Sequence, residues 1–149
     1  MSDLRELYQE VVLDHSRSPR NFRALPGATA EADGTNPLCG DRLHVWLAVE
    51  DDRVREVSFT GDGCAISKAS ASLMTQAVRG KTKAEAEALF EGFHRLVTGH
   101  AAADDAAKLG KLTVFAGVSE FPVRVKCASL AWHTFKAALD GSAAEITTE

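Results

Sequence analysis

Between residues 3 and 15, Leu4, Leu7, Tyr8, Val11 and Val12 recur at the spacing of one helix face, and Ser18-Pro19-Arg20-Asn21 breaks the pattern. This predicts an amphipathic first helix. After Pro26-Gly27, residues 28–33 read as a short strand and Gly34-Thr35-Asn36-Pro37 as the turn behind it. Leu43, Val45, Leu47 and Val49 then alternate with Arg42, His44, Trp46 and Ala48. Glu50-Asp51-Asp52-Arg53 interrupts, and period two resumes through Arg55, Val57 and Phe59, which predicts a hairpin with one buried face. From Ala65 the period lengthens: Ile66, Ala69, Ser70, Leu73, Met74 and Ala77 share one helical side, with Gly80 as the stop. Thr82-Lys83-Ala84-Glu85 has the form of a capping box, in which the Thr hydroxyl and the Glu carboxylate satisfy each other's backbone N–H groups. A further helix is expected from there toward Phe90 or Leu96. The Ala- and Gly-rich residues 98–121 have no such period; 101–109 offer a helical turn or two. From Pro122, well suited to a first helical turn, Val123, Cys127, Leu130, Ala131, Thr134 and Ala138 recur helically until Gly141, after which the tail is expected to fray.

A helix, three strands and then helices, without internal repeat or dividing linker, predict one domain over residues 1–149. Its class is α+β: a three-stranded antiparallel sheet packed with several helices on one face. The length of 149 residues, 45% hydrophobic, is enough for such a domain to bury its own core. The formal charge of −4, with no basic stripe, removes the field that drives nonspecific nucleic-acid binding, so protein partners are expected instead. The charged opening Ser2-Asp3-Leu4-Arg5-Glu6 lacks the apolar core of a signal peptide, and no apolar run approaches the roughly 18 residues of a spanning helix. The expected location is the cytoplasm, away from the membrane. Three cysteines in a reducing compartment make no complete disulfide framework, which turns attention to metal ligation or thiol chemistry. The plainer alternative is three small buried hydrophobes.

The surroundings of the cysteines favour chemistry. In Asn36-Pro37-Leu38-Cys39-Gly40-Asp41, an extended backbone would project Cys39 and Asp41 from the same side, with Gly40 leaving room for approach. Gly61-Asp62-Gly63-Cys64 puts a thiol at a strand-to-helix corner, where helix-start amides favour thiolate. Cys127, near the start of the last helix and beside Arg124 and Lys126, is expected to share that bias. Three thiolates and Asp41 would complete a tetrahedral Zn²⁺ site, and its formal charge of −2 makes Arg124 and Lys126 sensible counter-charges.

Three blocks in order, each centred on a cysteine, carry a family resemblance. They are Asn-Pro-x-Cys-Gly-Asp at 36–41, Gly-x-Gly-Cys-Ala-Ile-Ser with a following Ala-Ser at 61–70, and Arg-x-Lys-Cys-x-x-Leu-x-Trp at 124–132. With Asp14-His15 and Pro19-Arg20-Asn21-Phe22, they make nearly the whole chain resemble the IscU/SufU iron–sulfur cluster assembly scaffold family. The resemblance implies a compact α+β fold and a surface site of Cys39, Asp41, Cys64 and Cys127. That site either assembles a [2Fe–2S] cluster or holds zinc while taking sulfur from a cysteine desulfurase of the SufS/IscS type. Two departures favour the SufU-type zinc-dependent sulfurtransferase branch. Lys126 stands where scaffolds of the IscU type carry His before the last Cys, and Glu120-Phe121-Pro122-Val123-Arg124 replaces their Leu-Pro-Pro-Val-Lys segment. Extra length before Pro122 is similar to an insertion of the SufU branch. By this resemblance Cys39 is the sulfur acceptor, freed when a desulfurase histidine replaces it on zinc, and Arg124 helps to hold the exchanging site or the docked partner.

Three functions compete: a zinc-dependent sulfur relay feeding downstream Suf cluster-assembly proteins, a scaffold on which a transient [2Fe–2S] cluster is built and transferred, and a platform with zinc as a permanent staple. Whether the protein counts as an enzyme depends on which holds. His15, His44, His94, His100 and His133 lack a spacing that ties them to the cysteine blocks and read as packing or surface residues. Ser67, Ser70 and Ser72 read as small residues on a tightly packed helix, and Trp132 as packing.

Overall fold

A computed structural model of the chain describes residues 2–141 and 146–147. The alternating segment forms β2 (Asp41–Glu50) and β3 (Arg53–Asp62), paired antiparallel around Asp51 and Asp52. Both turn residues have positive φ, 52° and 64°, giving a tight two-residue connection whose twist matches the strands. On the other side of β2 lies β1 (Ala30–Asn36), in register from Ala30 opposite Leu47 to Asn36 opposite Asp41.

Gly34, Thr35 and Asn36 therefore belong to the strand, and the turn is the shorter Pro37-Leu38-Cys39-Gly40. The reason is packing. A Cβ on Gly34 would collide with Thr134 of the last helix, and Asn36 points inward and is fully buried. Cys39 thus lies in the turn and Asp41 opens the strand behind it, with Gly40 between them at a φ of 70°, so the backbone joining them is not an extended run. The three antiparallel strands expected from the sequence are joined by β4 (Ile146–Thr147), which pairs parallel with Gly34 and Thr35. The rest of the tail expected to fray, 142–145 and 148–149, lies outside the described residues.

Helices cover one face of this sheet. α1 (Ser2–Arg17) packs on α2 (Ala65–Val78), and α5 (Pro122–Leu139) lies on β1, β2 and α2. The capping box at Thr82 and Glu85 forms in full and opens α3 (Lys83–Val97). Val45, Leu47 and Phe59 meet Ala69, Met74, Leu130 and Phe135 in the core, and Trp132 stacks on Phe93 at 4.8 Å between centroids. The Asp14-His15 and Pro19-Arg20-Asn21 residues act as a clasp. His15 Nδ1 lies 2.7 Å from Ser72 Oγ, which also accepts the Arg20 N–H at 2.8 Å. Asn21 Nδ2 donates to Thr75 Oγ1 at 2.9 Å, and its carbonyl accepts the Phe59 N–H at 3.0 Å. Burial holds the His15 pKa below its ordinary value.

The segment without a clear period is α4 (Asp105–Leu109) followed by a 3-10 segment (Gly110–Glu120). Its buried residues Leu112, Phe115 and Val118 recur every three residues, the 3-10 period. Arg95 of α3 clamps Asp105 with two bonds, at 2.9 and 2.8 Å, and the Ala102 N–H adds a third at 2.8 Å. Among the described residues, no helix is long and apolar enough to cross a membrane.

Candidate metal centre

Three connections meet at one end of the sheet: the β1–β2 turn, the β3–α2 corner and the opening turns of α5. The first delivers Cys39, half-buried, with its N–H donating to the Asn36 carbonyl at 3.2 Å, and places Asp41 at the first position of β2. At the corner Cys64 is the N-cap of α2, and its sulfur accepts the Ser67 N–H at 3.5 Å. Gly63 must precede it, since a Cβ there would lie 2.6 Å from Asp41 Oδ1. Cys127 is buried on the inner side of α5.

The side chains converge. Cys39 Sγ and Cys127 Sγ are 3.1 Å apart, and one donor atom from each of Cys39, Asp41 and Cys127 lies within 4.8 Å of the others. Cys64 Sγ lies 4.0 Å from Asp41 Oδ2 but falls outside that group of three. Tetrahedral zinc with sulfur and oxygen ligands needs donor-to-donor edges of about 3.5–3.8 Å, and the donor atoms of Cys39, Asp41 and Cys127 lie close to that range. The group is able to bind a metal.

Asp41 is fixed from two sides although buried. Its Oδ1 accepts the Cys64 N–H at 2.8 Å, and its Oδ2 accepts Asn36 Nδ2 at 3.3 Å. The same amide lies 3.4 Å from Cys127 Sγ. Ser67 and Ser70 stitch α2 to α5 by donating to the carbonyls of Cys127 at 3.2 Å and Ala128 at 2.6 Å. Small buried serines were legible as packing; their place in holding Cys127 was not.

One electrostatic expectation is reversed. Cys127 sits in the second turn of α5, past the exposed amides, and without metal its thiol is pushed far above its ordinary pKa. Burial is the main cause, followed by the neighbouring Cys39, Cys64 and Asp41. A helix start favours thiolate only within the first turn, and Cys127 lies beyond it. A cation bound among the four groups is what would make Cys127 a thiolate ligand.

Arg124 is exposed, with its guanidinium 4.5 Å from the Phe121 ring centroid. It closes a groove of about 380 Å³ whose other walls are Tyr8, Gln9, Val12, Leu13 and Ile66. Leu38, Phe121 and Val123 add exposed apolar surface from the Cys39 turn and the start of α5. Asn36 belongs to the centre although its turn-forming neighbours Gly34, Thr35 and Pro37 disguise it as a loop residue. Its signal was the position directly before Pro37 at the end of a strand that must reach Asp41.

The match to known families agrees with this geometry. The model of the NifU-like N-terminal domain matches residues 7–128. The chain belongs to that family. A relative from Streptococcus pyogenes serotype M1, named iron–sulfur cluster assembly scaffold protein IscU, is 42% identical over 144 residues, covering 96% of this chain and 89% of that protein. The zinc-dependent sulfurtransferase SufU of Bacillus subtilis is 40% identical over 135 residues, covering 91% and 90%. Among solved structures, a candidate iron–sulfur cluster assembly scaffold protein for the SUF system from Fervidobacterium islandicum AW-1 is 32% identical. It superposes with a TM-score of 0.83 over 90% of this chain and 97% of that one. This NifU-like domain thus has relatives carrying both names, and the α+β fold expected from the sequence is the one its neighbours share.

Proposed function

We propose that this protein works in iron–sulfur cluster assembly as a zinc-bound sulfur acceptor, taking sulfane sulfur from a cysteine desulfurase and passing it to cluster-building partners in the cytoplasm. The observation that carries the reading is a contrast within one donor set: Cys39 rides on a turn, whereas Asp41, Cys64 and Cys127 are tied into strand and helix ends. Cys39, Asp41, Cys64 and Cys127 would hold the ion, which when bound supplies a Lewis acid that keeps thiols ionised near neutral pH. Similarity to the B. subtilis protein supports the sulfurtransferase branch, as do Lys126 before the last cysteine and the added segment 98–121.

The chain's own residues divide the work. The Cys39 thiolate attacks the outer sulfur of the desulfurase persulfide. A new S–S bond forms on Cys39, the donor's S–S bond breaks, and the donor cysteine leaves as thiolate with no net oxidation. Asp41, Cys64 and Cys127 stay in place, held by the Cys64 N–H, the Asn36 amide and the serine stitches. Leu38, Phe121 and Val123 give the donor protein an apolar rim that keeps water from the persulfide, and Arg124 offers a charge to an acidic group on that partner.

The 42% identity to a protein named as a scaffold favours a second reading, in which the same four residues receive a [2Fe–2S] cluster as cargo and the weaker Asp41 oxygen eases its release. Metal analysis of anaerobically purified protein, paired with a desulfurase turnover assay, separates the two. Bound zinc and faster desulfurase turnover are expected. A protein carrying a cluster and leaving turnover unchanged would select the scaffold.

A further inference from the structure

Asn36 is fully buried, yet its amide is only half used: Nδ2 faces Asp41 Oδ2 at 3.3 Å and Cys127 Sγ at 3.4 Å, while Oδ1 has no partner. Its orientation follows from chemistry. A carboxylate is an acceptor only, so the NH₂ end must face Asp41, which also brings it to Cys127 Sγ, and the carbonyl end is left to the cost of burial without a bond. A side chain kept in that position does something an apolar residue of the same size would not.

Comparing the three sulfurs shows what that is. Cys127 Sγ has the Asn36 amide and Cys64 Sγ has the Ser67 N–H. Cys39 Sγ meets Cys127 Sγ but, among the described residues, no N–H donor. N–H bonds to a ligating sulfur or oxygen fix its direction and draw on its electron density, making it a firmer ligand and a poorer nucleophile. We infer that Asn36 is a positioning residue that selects which ligand leaves: by bonding Asp41 and Cys127 at once it keeps both on the ion and leaves Cys39 as the member free to exchange. The backbone carbonyl of Asn36 also closes the turn bearing Cys39, so one residue sets the mobile ligand apart from the fixed ones.

This inference rests on the zinc reading, and its test is a double-mutant cycle on zinc affinity, measured by competition with a chromophoric chelator. Asn36→Asp keeps the shape and removes the donor; Asn36→Leu removes all polarity. Each is expected to weaken zinc about 10–100-fold, the usual effect of losing an outer-shell partner. In an Asp41→Ala background the loss should shrink, since half of the amide's purpose is gone. In a Cys39→Ser background it should persist in full. A purely structural Asn36 would instead lower the melting temperature of the metal-free protein and act equally in both backgrounds, which would overturn the proposal. So would failure of the isosteric Asn36→Asp protein to fold, or wild-type zinc affinity in both variants. If the wild-type protein itself binds no zinc, the functional reading fails first, and the two failures are told apart.

Discussion

Two stretches of the same centre hold the same residue type in opposite ways. The turn 37–40 carries Cys39 half-buried, between a proline and a glycine, with a single backbone bond to Asn36. The seam between α2 and α5 carries Cys64 and Cys127 with an N-cap bond, two serine stitches and a wall of buried small residues. The contrast teaches that chemical equivalence of ligands is broken by anchorage. A thiol whose backbone is locked by helix and seam moves only at the cost of packing, whereas a turn of this length rotates its side chain with little loss.

Cys127→Ser tests the anchored side most severely. Zinc affinity should fall by more than the roughly 100-fold that marks loss of an outer-shell group, and the rise in melting temperature on adding zinc should vanish. Retention of that rise would remove Cys127 from the ligand set. Asp41→Ala comes next. It opens a coordination position and strips the Cys64 N–H of its acceptor, so zinc should weaken, while any cluster loaded as cargo should persist longer for want of its weak oxygen ligand. Faster cluster loss than in wild type would contradict the role given to Asp41.

On the mobile side, Cys39→Ser should leave the metal-free protein within about 1 kcal/mol of wild type in denaturant unfolding, because the side chain is half-buried on a turn. A larger loss would make the turn part of the core and erase the contrast. Ser70→Ala should cost about 1 kcal/mol, the worth of its hydroxyl bond to the Ala128 carbonyl, and should loosen zinc only slightly. The smallest effect on zinc binding belongs to Asp105, far along the chain from these ligands. The bidentate Arg95, and then the Ala102 N–H, hold its carboxyl at about 2 against an ordinary 3.8. The unfolded chain therefore takes up the proton first. The stabilisation is complete above about pH 4 and is lost as pH falls toward 2. Acid unfolding of Asp105→Asn should lack that component, with zinc binding at pH 7 unchanged.

How much of this was readable in advance follows the same physics. Alternation in 42–59 and the change of period at Ala65 gave the hairpin, the corner and the N-cap thiol, because local patterning there agrees with burial. The end of β1 was read as turn, since Gly34, Thr35 and Asn36 are turn formers by composition. They are a strand only because Thr134 requires the glycine and Asp41 requires the asparagine, both contacts across the fold. Cys127 was placed on the right helix but credited with a dipole it sits too deep to feel. Around 110–120 the three-residue repeat of Leu112, Phe115 and Val118 was present, but three apolar residues in an Ala- and Gly-rich run are a thin signal.

The most direct test of the account is to follow sulfur. The zinc-loaded protein is incubated with a cysteine desulfurase and L-cysteine, quenched with an alkylating agent, and its persulfides are mapped by mass spectrometry over time. Persulfide should appear first on Cys39 and be absent from Cys39→Ser. First appearance on Cys64 or Cys127, with Cys39→Ser still accepting sulfur at the wild-type rate, would contradict it.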